Sequence, residues 1–549
     1  MTEKLSGASV LRDRYINRDT AFSDADRDRL KIRGLVPPVV KTIEQQAQRV
    51  MERIRSQENP LEKYVTLDTL RTRNQTLFFN VLANNIRELM PIVYTPTVGK
   101  ACMEFDHLLL DASGLYVSID DLGRVDELVA NVPYEEVDVI VVTDGERVLG
   151  LGDLGARGMG IPKGKLALYT VCGGISPSKT LPVMIDVGTN NAALTQDPLY
   201  QGLPHVRIDG ESYYKLIEEF ITAVRKRWPN VLIQFEDFAN QHAFELLDTW
   251  KNQVTCFNDD IEGTAAVTLA GFYSAVRAKG SKLSDEKILF FGAGEAAIGV
   301  ANLLVAAMEE EGLSREEASN RIYLFDSKGL VNAHREDISD GKKTFAHDEE
   351  TAGDTLLEAI ELVRPTAIVG SAAQAGAFNA YVLGTMSRFS ERPIIFALSN
   401  PTSKAECTAR DAYVYTAAKC LFASGSPFGP VDIDGKTYIP RQANNFYIFP
   451  GVGLGAVVSR AKTLPQGVFL AAARALAACV TEEELEQGSL YPPVEKVADV
   501  SLVVAEAVAE YCYANGLAGN ERPDDLIAAL NSYRYVPEYP SEAREEPQA

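Results

Sequence analysis

The chain has 549 residues, 24% of them charged and 46% hydrophobic, and its 54 basic against 76 acidic side chains leave a formal charge of −22. At roughly 150 residues per domain, that length implies three or four domains and enough apolar material for several cores. A surface this acidic repels nucleic-acid backbones and anionic lipid, and no run of Lys and Arg is long enough to reverse that locally, so neither nucleic acid nor membrane is an expected partner.

The seven cysteines (Cys102, Cys172, Cys256, Cys407, Cys420, Cys479 and Cys512) are scattered and never spaced C-x-x-C. That spacing argues against a disulfide framework or a zinc cage and makes a reducing cytoplasm the simplest location. Charges break up the first 15 residues, so they lack the continuous apolar core of a secretory signal. The longest uncharged stretch, 365–387, is diluted by Ser, Thr, Gln, Asn and Gly, whereas a membrane span needs about 20 mostly apolar residues.

In chain order, residues 1–112 read as a helical N-terminal domain, with apolar positions recurring at three and four over 38–55 and 70–89. From about 137 the texture changes to short β-branched runs at 137–143, 181–187, 231–235 and 254–257, separated by helix-length segments such as 212–227. This alternation predicts a parallel-sheet domain over 113–260, completed by 446–519. A second alternation, with strands expected at 287–291, 322–325, 367–370 and 393–398, predicts a Rossmann-type domain over 261–445. Helical segments follow at 471–478 and 497–513. Residues 520–549 form a C-terminal tail whose end, 535–549, is too rich in Pro and Glu to pack on its own. The fold class is therefore α/β, with no internal repeat.

The run FFGAGEAA (290–297) follows an expected strand and opens an apolar helix, the context in which G-x-G-x-x-A binds a dinucleotide. Gly292 permits the tight turn, and Gly294 lets backbone N–H groups approach a pyrophosphate at the positive helix end, beside Glu295, Ala296 and Ala297. The alternative is a packing glycine at a strand-to-helix turn. The next strand ends at Asp326, where a ribose-binding carboxylate belongs. Its extra distance is explained by the acidic insert 309–320. Asp326 alone points to NAD, whereas Ser327 and Lys328 just after it suit the 2′-phosphate of NADP, unless Lys328 is only a solvated surface lysine.

FED (235–237) and NDD (258–260) each place paired acids at the end of an apolar strand, where α/β sheets bind ligands. Converging carboxylates repel one another unless a cation neutralises them, and all-oxygen ligation suits Mg²⁺ or Mn²⁺. The alternative is helix N-capping by the aspartates. The glycine-rich stretch GLGDLGARGMGIPKG (150–164) reads as a ligand-approaching loop that runs into a helix starting at Lys165. There the helix dipole, a nearby metal and burial would favour a free amine suited to a general base, although on residue type alone Lys165 reads as a surface lysine.

These segments, together with MPIVYTPTVG (90–99), IDVGTN (185–190), ALSNPT (397–402) and NNFYIFPG (444–451), resemble malic enzyme in the same order from about residue 20 to 520. The resemblance implies oxidative decarboxylation of L-malate to pyruvate and CO₂, with NADP or NAD and Mg²⁺ or Mn²⁺, in a homotetramer built as a dimer of dimers. By motif it makes Glu236, Asp237 and Asp260 the metal ligands, Lys165 the general base, Tyr94 the general acid and Asp259 the support of the lysine. Arg147, Asn400 and Asn445 match substrate contacts. Asn400 and Asn444 lie near the nicotinamide. Ser327, Lys328 and Lys343 match positions that favour NADP. Arg49 and Arg73 match an activator-binding pair of some relatives, and no effector is assigned to them. The rival readings are malolactic enzyme, a relative that makes lactate and CO₂ with bound NAD, and a non-catalytic dinucleotide-binding protein.

Overall fold

Helices dominate the N-terminal region, and asparagines cut them where the sequence pattern runs on. The helix expected over 70–89 is divided among Pro60–Arg73, Gln75–Asn84 and Ile86–Val93. Asn74 ends the first, and its side chain accepts from Leu77 N–H (3.0 Å) to start the second, an N-cap that competes with helix continuation. The helix expected over 38–55 begins only at Ile43, where Thr42 and Gln45 form a capping box.

The computed structural model describes residues 6–148, 150–348 and 353–540. It divides into one unit of Met1–Val231, Glu236–Phe238 and Asn531–Ala549, and another of Leu232–Phe235 and Ala239–Leu530. In the first unit, β3 (Thr180–Asp186) lies between β1 (Leu115–Ser118) and β2 (Val139–Thr143), parallel to both. The wholly buried VIVVT of β2 is the β-branched run read from the sequence.

The expected loop 150–164 ends early, because the helix Gly160–Val171 starts five residues before Lys165. Its glycines serve packing: a Cβ on Gly160 would meet Cys102 Sγ at 2.6 Å, and one on Gly164 would meet the Val93 carbonyl at 3.0 Å. Pro162 is tolerated because it lies in the first turn, whose N–H groups lack helical partners anyway. Lys165 thus sits mid-helix, and the helix dipole invoked for it from the sequence has little effect there. The C-terminal segment also packs further than its composition suggests. Tyr535 N–H donates to Gly174 C=O (2.7 Å), and Tyr539 O–H donates to Gln46 Oε1 (2.8 Å). Residues 541–549 lie outside the described residues.

In the second unit β4 (Leu232–Phe235) pairs in parallel with β5 (Cys256–Asn258). A six-stranded sheet is formed by β6 (Ile288–Phe291), β7 (Ile322–Asp326), β8 (Gly329–Leu330), β9 (Ala367–Gly370), β10 (Ile394–Ala397) and β11 (Leu421–Ser424). Its order is β11-β10-β9-β6-β7-β8, and only β8 runs antiparallel to its neighbour. The chain leaves β6 for β7 on one side and later returns to β9 on the other, so the carboxyl end of β6 is a topological switch point. The helices Gln466–Ala478 and Val497–Ala514 cover the expected helical segments. All seven cysteines are free, and no helix among the described residues is long and apolar enough to cross a membrane.

Candidate functional site

In the first unit, the packing glycines seat the helix Gly160–Val171 against Tyr94, the cap of Ile86–Val93. The Lys165 ammonium lies 5.5 Å from the Tyr94 ring centroid and 2.9 Å from Glu236 Oε1. Both side chains of this ion pair are 2% exposed, so two opposite charges are desolvated together, which costs several kcal/mol per ion unless close pairing returns it. Glu236 and Asp237 follow β4 directly in sequence. Glu236 N–H donates to Val142 C=O (2.9 Å), and Arg147 N–H donates to Asp237 C=O (3.1 Å). Asp237 is buried at φ 57°, in the left-handed region that Asp tolerates better than most residues. The structure thus gathers Tyr94, Lys165, Glu236, Asp237 and the backbone of Arg147, whose side chain is exposed.

The loop before this helix is held by a residue that no motif marks. Arg207 donates to both carboxylate oxygens of Asp153 (2.8 and 2.9 Å) and to Asp144 C=O (2.8 Å). Asp153 in turn accepts from the N–H groups of Gly155 (2.9 Å) and Asn190 (2.7 Å). The signal for Arg207 lies only in three dimensions, since its partners are more than fifty residues away in the chain.

In the second unit Asp259 and Asp260 follow β5, the first fully buried and the second half-buried. Asn445 Nδ2 donates to Asp259 C=O (2.9 Å) and Oδ2 (3.0 Å), so the residue expected at the substrate also orients Asp259. Gly263 must lack a side chain because the Asp259 carboxylate fills the space of a Cβ. Asn444 caps the short turn Asn445–Tyr447, and Asn400 Oδ1 accepts from Ser426 Oγ (3.0 Å).

A cleft of about 290 Å³ opens at the end of β6, lined among others by Gly292, Gly294, Asp326, Ser327 and Lys342. Gly292 has φ 110° and a Cβ there would meet the Ala372 backbone N at 2.9 Å, whereas nothing lies within 4 Å of a Cβ on exposed Gly294. The helix Glu295–Glu310 carries Ala296 and Ala297 in its first turn. The Glu295 side chain lies outside the described residues. Asp326 is gripped by Arg335 through both oxygens (2.9 and 3.0 Å) and by Lys342 (2.7 Å). Burial raises its pKa, but these hydrogen bonds outweigh burial and hold the carboxyl at about 2. Lys328 is exposed and pairs with Asp337 (2.6 Å), and Lys343 is exposed and pairs with Asp340 (2.6 Å). Lys342, not singled out in the sequence, is the lysine lining the cleft. Sequence cannot say which of two adjacent lysines faces inward, since successive helical positions differ by about 100°.

Two family models match the chain: "Malic enzyme, N-terminal domain" over residues 71–251 and "Malic enzyme, NAD binding domain" over 261–513. The chain is 48% identical to the NADP-dependent mitochondrial malic enzyme of Homo sapiens, covering 98% of this chain and 89% of that one. The chain belongs to the malic enzyme family. A second member, the NAD-dependent mitochondrial malic enzyme of Ascaris suum, is 47% identical over 98% of this chain and 84% of its own. The crystal structure of Entamoeba histolytica malic enzyme shares the fold, with a TM-score of 0.56 at 20% identity over 92% of this chain and 90% of that one. Within the family, the cleft at β6 falls in the stretch matched by the NAD-binding domain.

Proposed function

We propose that the protein oxidatively decarboxylates L-malate to pyruvate and CO₂, reducing NADP⁺ or NAD⁺ in the presence of Mg²⁺ or Mn²⁺. The observation that carries this reading is the buried Lys165–Glu236 pair beside Tyr94, which joins an amine, a carboxylate and a phenol in one buried cluster. Glu236, Asp237 and Asp260 would hold the ion, each offering one carboxylate oxygen. The set fits a hard divalent cation, since it has no thiol or imidazole. Adjacent acids buried at Glu236 and Asp237 repel one another, and a divalent cation between them would relieve that repulsion. The dinucleotide would lie over Gly292 and Gly294, along Ala296 and Ala297.

When bound, the nicotinamide would supply the hydride acceptor, and the ion would supply positive charge to stabilise the negative charge that develops on the substrate. Lys165, as the free amine and supported by Asp259, takes the proton from the C2 hydroxyl while hydride leaves C2. Arg147 grips a malate carboxylate through its planar fork, with Asn400 and Asn445 completing the orientation and Asn444 set beside the nicotinamide. After CO₂ departs, Tyr94 returns a proton to C3 and pyruvate is released.

NADP is the preferred cofactor in this reading. Three cations, Lys328, Arg335 and Lys342, face two carboxylates, Asp326 and Asp337, and Lys342 lines the cleft with Ser327, where a 2′-phosphate would take up the surplus positive charge. Lys328 and Lys343 are exposed and are not among the residues lining the cleft. A cytoplasmic location suits the seven free thiols, and a homotetramer is the assembly the family resemblance implies. A steady-state product assay tests the reaction: equal amounts of pyruvate and reduced cofactor are expected, whereas lactate without net reduction would point to the malolactic reaction.

A further inference from the structure

Behind the dinucleotide cleft of the second unit lies a carboxylate that the reaction outlined above does not use. Glu406 is 0% exposed, and its backbone C=O accepts from Phe378 N–H (2.9 Å), which fixes the residue to the segment after β9. Its side chain reaches the carboxyl ends of two strands. Ser399, just after β10, donates to it through its N–H (3.4 Å) and through its hydroxyl. Gly370, the last residue of β9, leaves it room, since a Cβ there would meet Glu406 Cδ at 2.5 Å. Ser399 Oγ in turn accepts from the N–H of Ala373 (2.9 Å), a residue held at φ 53°. Ala372 and Gln374 line the cleft beside Gly292, and Ala373 between them is thus tied to Glu406 through Ser399.

The charge of this side chain has no counterpart. Its donors are neutral, and no Lys or Arg pairs with it among the described residues. Burial pushes the carboxyl up, and the hydrogen bonds from Ser399 and from the Ala372 backbone pull it down again. Because Ser399 Oγ already accepts from Ala373, its own hydrogen is directed at Glu406, an arrangement that suits a carboxylate. A buried charge without a cation is costly, and a positive charge brought by a ligand relieves that cost. The oxidised nicotinamide ring carries such a charge and the reduced ring does not. In a Rossmann-type sheet the dinucleotide crosses the switch point, with its two halves on opposite sides. Asp326 at the end of β7 marks the adenosine side, so the nicotinamide half falls on the side of β9 and β10, where Glu406 lies.

We propose that Glu406 is a specificity-determining residue for the redox state of the cofactor, its buried negative charge favouring the cationic oxidised nicotinamide over the neutral reduced ring. A side chain with no exposure does not touch the cofactor and acts through its field across the cleft wall. The inference rests on the dinucleotide reading of the cleft at β6 and adds to it which form of the cofactor this charge favours.

Calorimetric titration of the full chain with NADP⁺ and with NADPH, without metal or malate, gives two dissociation constants whose ratio is the readout. Glu406→Gln keeps the shape and an acceptor for Ser399 but removes the charge. The ratio of Kd for NADP⁺ to Kd for NADPH should rise about three- to tenfold, the scale of one charge felt through an effective dielectric constant of about 20. Ser399→Ala loosens the same wall while keeping the charge, so it should weaken both forms alike and leave the ratio at the wild-type value. Gly294→Ala should also weaken both forms alike. Where Glu406→Gln does not fold, Glu406→Ala takes its place with the same expected change in ratio. An unchanged ratio in the Glu406 variant, an equal shift of the ratio in Ser399→Ala, or loss of folding in both Glu406 variants, which would mark a purely structural role, would each overturn the assignment. Unchanged binding of both forms in Gly294→Ala would instead overturn the cleft reading on which it rests.

Discussion

Lys165 pairs with Glu236, one of the carboxylates proposed to hold the ion, so its part as base is separated from metal binding only by measuring turnover and metal affinity apart. Lys165→Ala should lower turnover by about 10²–10⁴-fold, the usual contribution of a general base, while Mn²⁺ affinity measured without substrate stays within a few-fold. Near-normal turnover would remove Lys165 from the chemistry. At the cofactor cleft, Lys342→Ala should weaken NADP about tenfold more than NAD, the scale of a lost charge-assisted hydrogen bond, and Lys343→Ala should weaken neither selectively. Steady-state kinetics with both cofactors separates the two lysines. Asp326 carries a pH signature. Its folded pKa of about 2 lies below the usual carboxylate value, so its ion pairs contribute stability at neutral pH that disappears as the pH falls from about 4 toward 2. The wild-type advantage in unfolding temperature over Asp326→Asn should shrink across that window. The paired acids were singled out by their place at strand ends, whereas Tyr94 was named only through the family resemblance and Lys165 read on residue type alone as a surface lysine. Arg207 and Arg335 were not singled out, because an arginine bridging distant segments leaves no local pattern.

Elements were legible where composition and period agree. The β-branched strands β2, β6 and β9 fall within a residue or two of the sequence reading, and β7 ends with Asp326 as the last residue of the strand. Strands β1 (LYVS) and β11 (LFAS) were missed: they are no shorter than β6 and β9 but carry no run of β-branched residues. The helix Gly160–Val171 was misplaced because glycine and proline signal a loop by propensity, whereas here close packing against Cys102 and Val93 selects them. The fingerprint offers a cleaner separation of fold from function. A Cβ at Gly292 would press on the Ser371–Ala372 backbone, but one at Gly294 meets open space. Gly294→Ala should therefore unfold at the wild-type temperature yet bind dinucleotide at least about tenfold more weakly, because that space is where a pyrophosphate approaches. Fluorescence titration with reduced cofactor measures it, and unchanged affinity would place the dinucleotide elsewhere.

At the scale of the whole molecule, the C-terminal segment shows where composition misleads. Its prolines and glutamates suggest an unpacked tail, but Tyr535 and Tyr539 fasten it as far as residue 540 to helices and loops far upstream. The family was legible because many motifs occur in one order, and the two family models and the relatives agree with it. What sequence leaves open is the convergence of acids from two separate strand ends on one ion. Mn²⁺ binding followed by electron paramagnetic resonance, with turnover measured on the same samples, addresses this directly. One tightly bound Mn²⁺ per chain is expected in the wild type and in Lys165→Ala, with binding lost in both Asp237→Asn and Asp260→Asn and turnover lost in all three variants. Undiminished Mn²⁺ binding in Asp260→Asn, or normal turnover in either aspartate variant, would contradict the shared site.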